Sequence, residues 1–336
     1  MNYKVYLTSS SKAKGLKRTK DPCIIAIEPE DFTKSQIIEL KNKNYTVLGY
    51  MSIGSVSDER SYYKSLEPYI LRDDKGNKIR LKDWEHEYFL DLRRTKARDW
   101  CVQRAREIIA LGCDGVWLDN VDVYEECKKN AMLEAITSTI RRIKGIYNCY
   151  VMINGGMKYL QKAMDTEFDN GVYKVQCGAF RYYHNAEELQ KTLEKSNIST
   201  IIKTGDDGLY RVQTGAFSKF KNAYTQLVGV IAIGVNAYIR VEGINSSILP
   251  ISNYIDGVTQ EEVFTKIKKY SGRGEFGSQS TAQSGEYQEH LYRVKTHGME
   301  TFLLEYTRSS DKVKQIKDFC KKYNHTGYYC ASDVNL

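Results

Sequence analysis

The sequence predicts an α/β chain in which eight parallel strands alternate with helices and close into a (β/α)8 barrel. A small α+β insert of ferredoxin-like βαββαβ order interrupts it. Two observations carry this reading. Short apolar runs that end in acidic or polar residues alternate with helical patterns along most of the 336 residues, as βα units of a parallel sheet require. The rhythm is broken once, where Tyr-Lys-Val-Gln-Cys-Gly-Ala-Phe at 173–180 returns as Tyr-Arg-Val-Gln-Thr-Gly-Ala-Phe at 210–217, and such self-similarity marks a repeated structural unit.

Taken in order, the barrel strands are expected at 24–28, 47–50, 88–91, 115–119, 150–154, 254–261, 301–305 and 327–331. A helix over 96–111 keeps Trp100, Val102, Ala105, Ile108 and Ile109 near a 3.6-residue period and stops at Gly112, a usual C-terminal signal. Further helices are expected near 36–40 and over 130–143 and 310–323. The insert falls between the fifth and sixth strands. Each copy of the repeat precedes a helix starting in Asn-Ala, and further strands follow near 199–202 and 236–239. The boundaries place the barrel at 1–168 and 243–336 and the insert at 169–242. Entry just after Asn154-Gly155-Gly156 would set the insert at the C-terminal face of the barrel.

Composition excludes several classes. Hydrophobic residues at 41% and charged residues at 27% describe a soluble globular protein, not a disordered or fibrous one. The most apolar stretch, 227–235, is far too short to span a membrane. The N-terminus alternates apolar and polar residues and carries no secretory apolar run. The expectation is a chain made in the cytoplasm, so any work outside the cell needs an export route not written in its N-terminus. The 8 cysteines and 5 histidines are dispersed without metal-ligand spacing, so no metal and no cofactor are expected. The net charge of +8 serves solubility or attraction to an acidic polymer, and charge alone does not choose. Strand order in the insert is shared with RNA-binding sheets. The aromatic Lys/Arg-Gly-Phe signature of that class is missing, so nucleic acid is not an expected partner. Oligomeric state is not legible.

Barrel active sites form at the C-terminal ends of strands. Those ends read Glu28, Tyr50, Asp91, Asp119 with Asp122, Asn154, Glu261 with Glu262, and Glu305. Single acids there often cap the following helices. A whole ring of them suits oxocarbenium-like chemistry, in which one carboxylic acid and one carboxylate flank a glycosidic bond. Tyr50 suits either stacking on a sugar or partial burial.

The segments VLGYMSIGS, EYFLDLR, GCDGVWLDNVDVYE, VMINGG, IDGVTQEEVF and FLLEYT resemble those of glycoside hydrolase family 114, the TIM-barrel endo-α-1,4-polygalactosaminidases. The resemblance implies endo-hydrolysis of an amino-sugar polymer by an Asp after strand four and a Glu after strand six. On this sequence these are Asp119 as nucleophile and Glu261 as general acid/base, with retention requiring carboxyls about 5 Å apart. Glu262 competes with Glu261, and since strand neighbours alternate only one of the two faces the mouth. Glu28, Tyr50, Asp91, Asn120, Asp122, Asn154 and Glu305 are the implied substrate-binding residues. YKVQCGAF and YRVQTGAF in turn resemble the SPOR domain, which implies binding of peptidoglycan glycan strands stripped of stem peptides. Candidate sugar contacts are Gln176, Arg211 and Gln213. Together these describe an endolysin-like glycosidase acting on an amino-sugar polysaccharide of the bacterial wall. The alternative is a non-catalytic glycan-binding protein with an inactive barrel.

Overall fold

The computed structural model describes residues 2–82, 84–127, 129–244 and 249–336. The chain divides into two compact units. One comprises Met1–Ala163, Ile251–Lys295 and Met299–Leu336; the other comprises Met164–Pro250 and Thr296–Gly298.

In the larger unit eight parallel strands follow one another in chain order: Asn2–Tyr6, Cys23–Ile27, Tyr45–Ser52, Gly115–Asp119, Tyr150–Asn154, Gly257–Glu261, Glu300–Tyr306 and Gly327–Ala331. Parallel ladders join each to the next. The first and eighth strands meet at a seam where the Tyr6 and Tyr329 rings lie 6.5 Å apart and the Thr8 amide donates to the Leu336 carbonyl. The result is a nearly closed barrel with helices between its strands.

This differs from the expected strand set in one exchange. Residues 88–91 do not enter the barrel. Instead Glu87–Phe89 pairs antiparallel with Ser55–Ser57, a side ribbon on the long connection after the third strand. The strand that completes the barrel is Asn2–Tyr6, whose alternation Asn2-Tyr3-Lys4-Val5 buries Tyr3 and Val5. Its polar alternate residues disguised it beside the continuously apolar runs of the other strands.

Strand alternation builds the core. Tyr3, Val5, Ile24, Ala26, Leu48, Trp117, Met152, Phe302 and Leu304 belong to one buried cluster that fills the barrel. Near its top the Trp117 indole N–H donates to the Tyr3 hydroxyl at 2.8 Å, and the Thr259 hydroxyl lies 3.1 Å from the same oxygen. Because side chains repeat every second residue, whatever stands two positions beyond an interior residue continues inward at the C-terminal mouth.

The chain departs from the barrel after the helix Met157–Thr166 and re-enters ahead of Gly257–Glu261. The helix Met157–Thr166 therefore stands between Asn154-Gly155-Gly156 and the first strand of the smaller unit.

The smaller unit runs Phe168–Phe180, helix Tyr183–Glu194, Ile201–Thr204, Tyr210–Phe217, helix Phe220–Ala232 and Tyr238–Ile244. Its four strands form an antiparallel sheet in which the fourth and third strands flank the first, and the second lies outside the third. The two copies of the repeat are thus adjacent strands. Tyr173, Val175 and Cys177 are buried with Ala186, Leu193, Ala223 and Leu227 of the two helices.

Candidate active site

The mouth of the barrel is assembled by the alternation just described. Leu48, Trp117, Met152, Thr259 and Leu304 face inward, so Tyr50, Asp119, Asn154, Glu261 and Tyr306, each two residues further on, face the same way. These five line a cavity of about 330 Å³ together with Asn120, Glu87, Trp84 and Tyr270.

Asn154 organises the centre. Its Nδ2 donates to Asp119 Oδ1 at 3.1 Å and to Glu261 Oε1 at 2.7 Å. The shared donor brings the nearest oxygens of the two acids side by side. The outer oxygen of each acid has a phenol: Tyr50 donates to Asp119 Oδ2 at 3.2 Å and Tyr306 to Glu261 Oε2 at 2.8 Å.

Burial pushes the Glu261 carboxyl up to about 7, with the nearby Asp119 charge adding to the rise and the Asn154 and Tyr306 hydrogen bonds opposing it. Asp119 is also raised by burial, against hydrogen bonds from Asn154, the Asn120 backbone and Tyr50. Two carboxyls this close cannot both ionise freely. The arrangement supplies one acid that keeps its proton near neutral pH beside one carboxylate, the division of labour that acid-assisted displacement at an anomeric carbon needs.

The remaining expected residues separate into groups. Asn120 adopts a left-handed conformation, φ 59°, and donates to Ser52 Oγ and Ser55 Oγ. A methyl group at Gly54 would meet its carbonyl oxygen at 1.7 Å, so glycine there lets the two loops approach. Glu28 lines a neighbouring cavity of about 620 Å³, where Arg60 holds it at 2.7 Å.

Four expected substrate contacts do not line either cavity. Asp91, outside any barrel strand, clasps Arg93 Nε at 2.7 Å. Asp122 accepts from the Gly156 amide at 3.1 Å, and burial pushes it up to about 7. Glu262, φ 57°, turns to the Ile267 amide. Glu305 is out of phase with Leu304 and Tyr306 and is fully buried. It accepts from the Phe264 and Thr265 amides at 3.0 Å each and from the Thr265 hydroxyl at 2.6 Å.

In the insert, Gln176 and Gln213 are 2% and 3% exposed, not open to solvent as surface contacts would be. Gln176 is covered on one side by Tyr238, to whose hydroxyl it donates at 2.7 Å. Arg211 is engaged by Asp207 at 2.5 Å.

The sequence reading missed Tyr306, Glu87, Trp84 and Tyr270. Tyr306 was legible, since FLLEYT places it in phase with Leu304. Glu87 accepts from the Ser55 hydroxyl and is raised by burial. It belongs to the side ribbon, and no periodicity announces its position. Among the described residues, no group of three or more His, Cys, Asp or Glu is arranged to hold a metal ion, and no helix is long and apolar enough to cross a membrane.

The family model of glycoside-hydrolase family GH114 matches residues 5–209, more than half of the chain. The chain belongs to GH114. It is therefore a glycoside hydrolase. No curated protein sequence matches it. Among solved structures, the glycoside hydrolase domain of PelA from Pseudomonas aeruginosa is 11% identical, with a TM-score of 0.59 over 100% of this chain and 95% of that one. Aspergillus fumigatus Ega3, solved in complex with galactosamine, is 14% identical, with a TM-score of 0.51 over 100% of this chain and 92% of that one. At such identities the likeness shows a shared fold. The peptidoglycan binding domain of the B. subtilis cell wall lytic enzyme CwlC is 39% identical over 22% of this chain and 92% of that domain, with a TM-score of 0.21.

Proposed function

We propose that this GH114 chain is a retaining, endo-acting hydrolase of an amino-sugar polysaccharide in the bacterial cell wall. The observation that carries the proposal is the acid pair held on one Asn154 amide. In the first step Asp119 attacks the anomeric carbon while Glu261 gives its proton to the departing glycosidic oxygen, leaving a glycosyl ester on Asp119. In the second, the Glu261 carboxylate takes a proton from water, the resulting hydroxide displaces Asp119, and the original anomeric configuration returns.

Charge supports an amino sugar. The second cavity is lined by Glu28, Glu59, Glu85 and Glu87 against Arg60, an acidic lining that attracts ammonium groups along a polymer. Ega3, which shares the fold, was solved with galactosamine.

The insert is read as a SPOR module that binds denuded glycan strands. Its repeat and strand order support this. So does a row across the sheet in which Tyr238 and Ile201, both about half exposed, flank Gln176 and Gln213. Gln213 Oε1 has no hydrogen-bond partner among the described residues, so a sugar hydroxyl would satisfy a buried acceptor there. Export and release to the wall, as in an endolysin, belong to the same proposal.

Reducing-end release from α-1,4-linked polygalactosamine and from purified bacterial walls tests the activity, and cosedimentation of the full chain with amidase-stripped walls tests the module. Hydrolysis by wild type and not by Glu261→Gln is expected. Equal release by both would overturn the catalytic assignment, and equal sedimentation with stripped and intact walls would overturn the module's.

A further inference from the structure

The catalytic cavity and its acidic neighbour share Leu7, Thr8, Tyr50, Trp84 and Glu87. A sugar chain that continues from one into the other must pass these residues. Tyr50 is half-buried with its hydroxyl committed to Asp119, whereas Trp84 is 57% exposed. An indole this open is unusual in the chain: Trp117 is buried in the barrel, and Trp100 packs on Tyr62 at 4.8 Å between ring centres.

Trp84 is also braced. Tyr270, 49% exposed, meets it edge to face at 5.6 Å and 64°. Trp84 comes from the connection that ends in Glu87–Phe89, and Tyr270 from the turn between Thr265–Lys269 and Glu275–Ser278. Two separate excursions thus spend their exposed aromatics on one point of the cavity rim. Mutual contact fixes the indole without covering it, and leaves a flat apolar face beside a ring of carboxylates.

We propose that Trp84, held by Tyr270, is a stacking subsite for the sugar unit next to the one cleaved, and that it makes the enzyme depend on a polymer rather than on a single glycoside. The inference rests on the hydrolase reading of the acid pair and adds where the polymer lies. A pyranose ring presents hydroxyls at its rim and C–H bonds on its faces, so an indole takes the face while the acids take the rim. Leu81, which lines the catalytic cavity beside them, extends the apolar floor.

The test uses the full-length protein with α-1,4-galactosamine oligosaccharides and with 4-nitrophenyl α-galactosaminide as the small substrate. Trp84→Ala is expected to raise KM for the oligosaccharides about tenfold, the order expected for one indole face shielded from water. It should change kcat less than about twofold and raise KM for the small substrate much less than for the oligosaccharides, and Trp84→Phe should restore most of the affinity. Oligosaccharide should shift the tryptophan emission of wild type saturably, and that shift should shrink in Trp84→Phe to what Trp117, which also lines the cavity, contributes. Unchanged KM in Trp84→Ala, an equal loss on both substrates, or an emission shift undiminished in Trp84→Phe would overturn the subsite. If wild type cleaves neither substrate, the hydrolase reading fails, and the emission titration still decides the subsite.

Discussion

Glu261→Gln keeps the side chain's shape and its acceptor for the Asn154 amide, but removes the proton that the glycosidic oxygen would receive. General acid/base assistance is worth about 10²–10⁴ in rate, so kcat/KM on polymer should fall by that factor. The pH profile is the sharper readout. In wild type the first step needs Glu261 protonated, and burial first, then the Asp119 charge, places its titration at about 7. Activity should therefore decline above about pH 7, while the acidic limb follows ionisation of Asp119. The variant should lose the basic limb and keep the acidic one. Stability supplies an independent sign. The carboxyl rises from 4.5 to about 7 on folding, so its contribution is complete below pH 4.5 and is lost as pH rises through about 7. At about 1.4 kcal/mol per unit this amounts to roughly 3 kcal/mol that wild type loses by pH 8 and the glutamine variant does not. Thermal melts at pH 4.5 and pH 8 should show the variant gaining on wild type at the higher pH. A basic limb that survives in Glu261→Gln would move the acid to another group, with Glu87 the alternative on the cavity wall.

Tyr306→Phe removes a donor that favours the charged form of Glu261, so the basic limb should move to higher pH in rate profiles. Glu87→Gln should raise KM for a cationic polymer with little change in kcat, and the difference should shrink in salt as screening replaces the lost attraction; an effect on kcat alone would count against a role in binding. Glu305→Ala strips partners from buried donors of Phe264 and Thr265, each worth about 1–3 kcal/mol, so urea melts should show a loss of roughly 3 kcal/mol or more.

Much of the site was legible because strand ends obey a simple parity. Asp119, Asn154 and Glu261 continue the inward series of Trp117, Met152 and Thr259, and acids or amides at those points announce chemistry. The same parity, applied to the seventh strand, would have replaced Glu305 by Tyr306. Asp91 misled for another reason: EYFLD has the composition of a barrel strand, and only tertiary pairing with Ser55–Ser57 assigns it to a side ribbon. Asn2–Tyr6 failed in the opposite direction, because a strand with Asn2 and Lys4 on one side reads as a surface segment. Trp84, Glu87 and Tyr270 reach the cavity through loop geometry, which local sequence does not encode. The insert's repeat gave away its strands, but not that its two central glutamines are covered.

The roles proposed for Asp119 as nucleophile and Glu261 as acid/base can be separated by trapping the glycosyl ester. Intact-protein and peptide mass spectrometry after reaction with an activated 5-fluoro galactosaminyl fluoride locates it. One glycosyl adduct is expected, on the peptide carrying Asp119, and it should accumulate when Glu261→Gln slows its hydrolysis. An adduct on Glu261 or Glu87, or full turnover through the inverted anomer with no adduct, would contradict those roles.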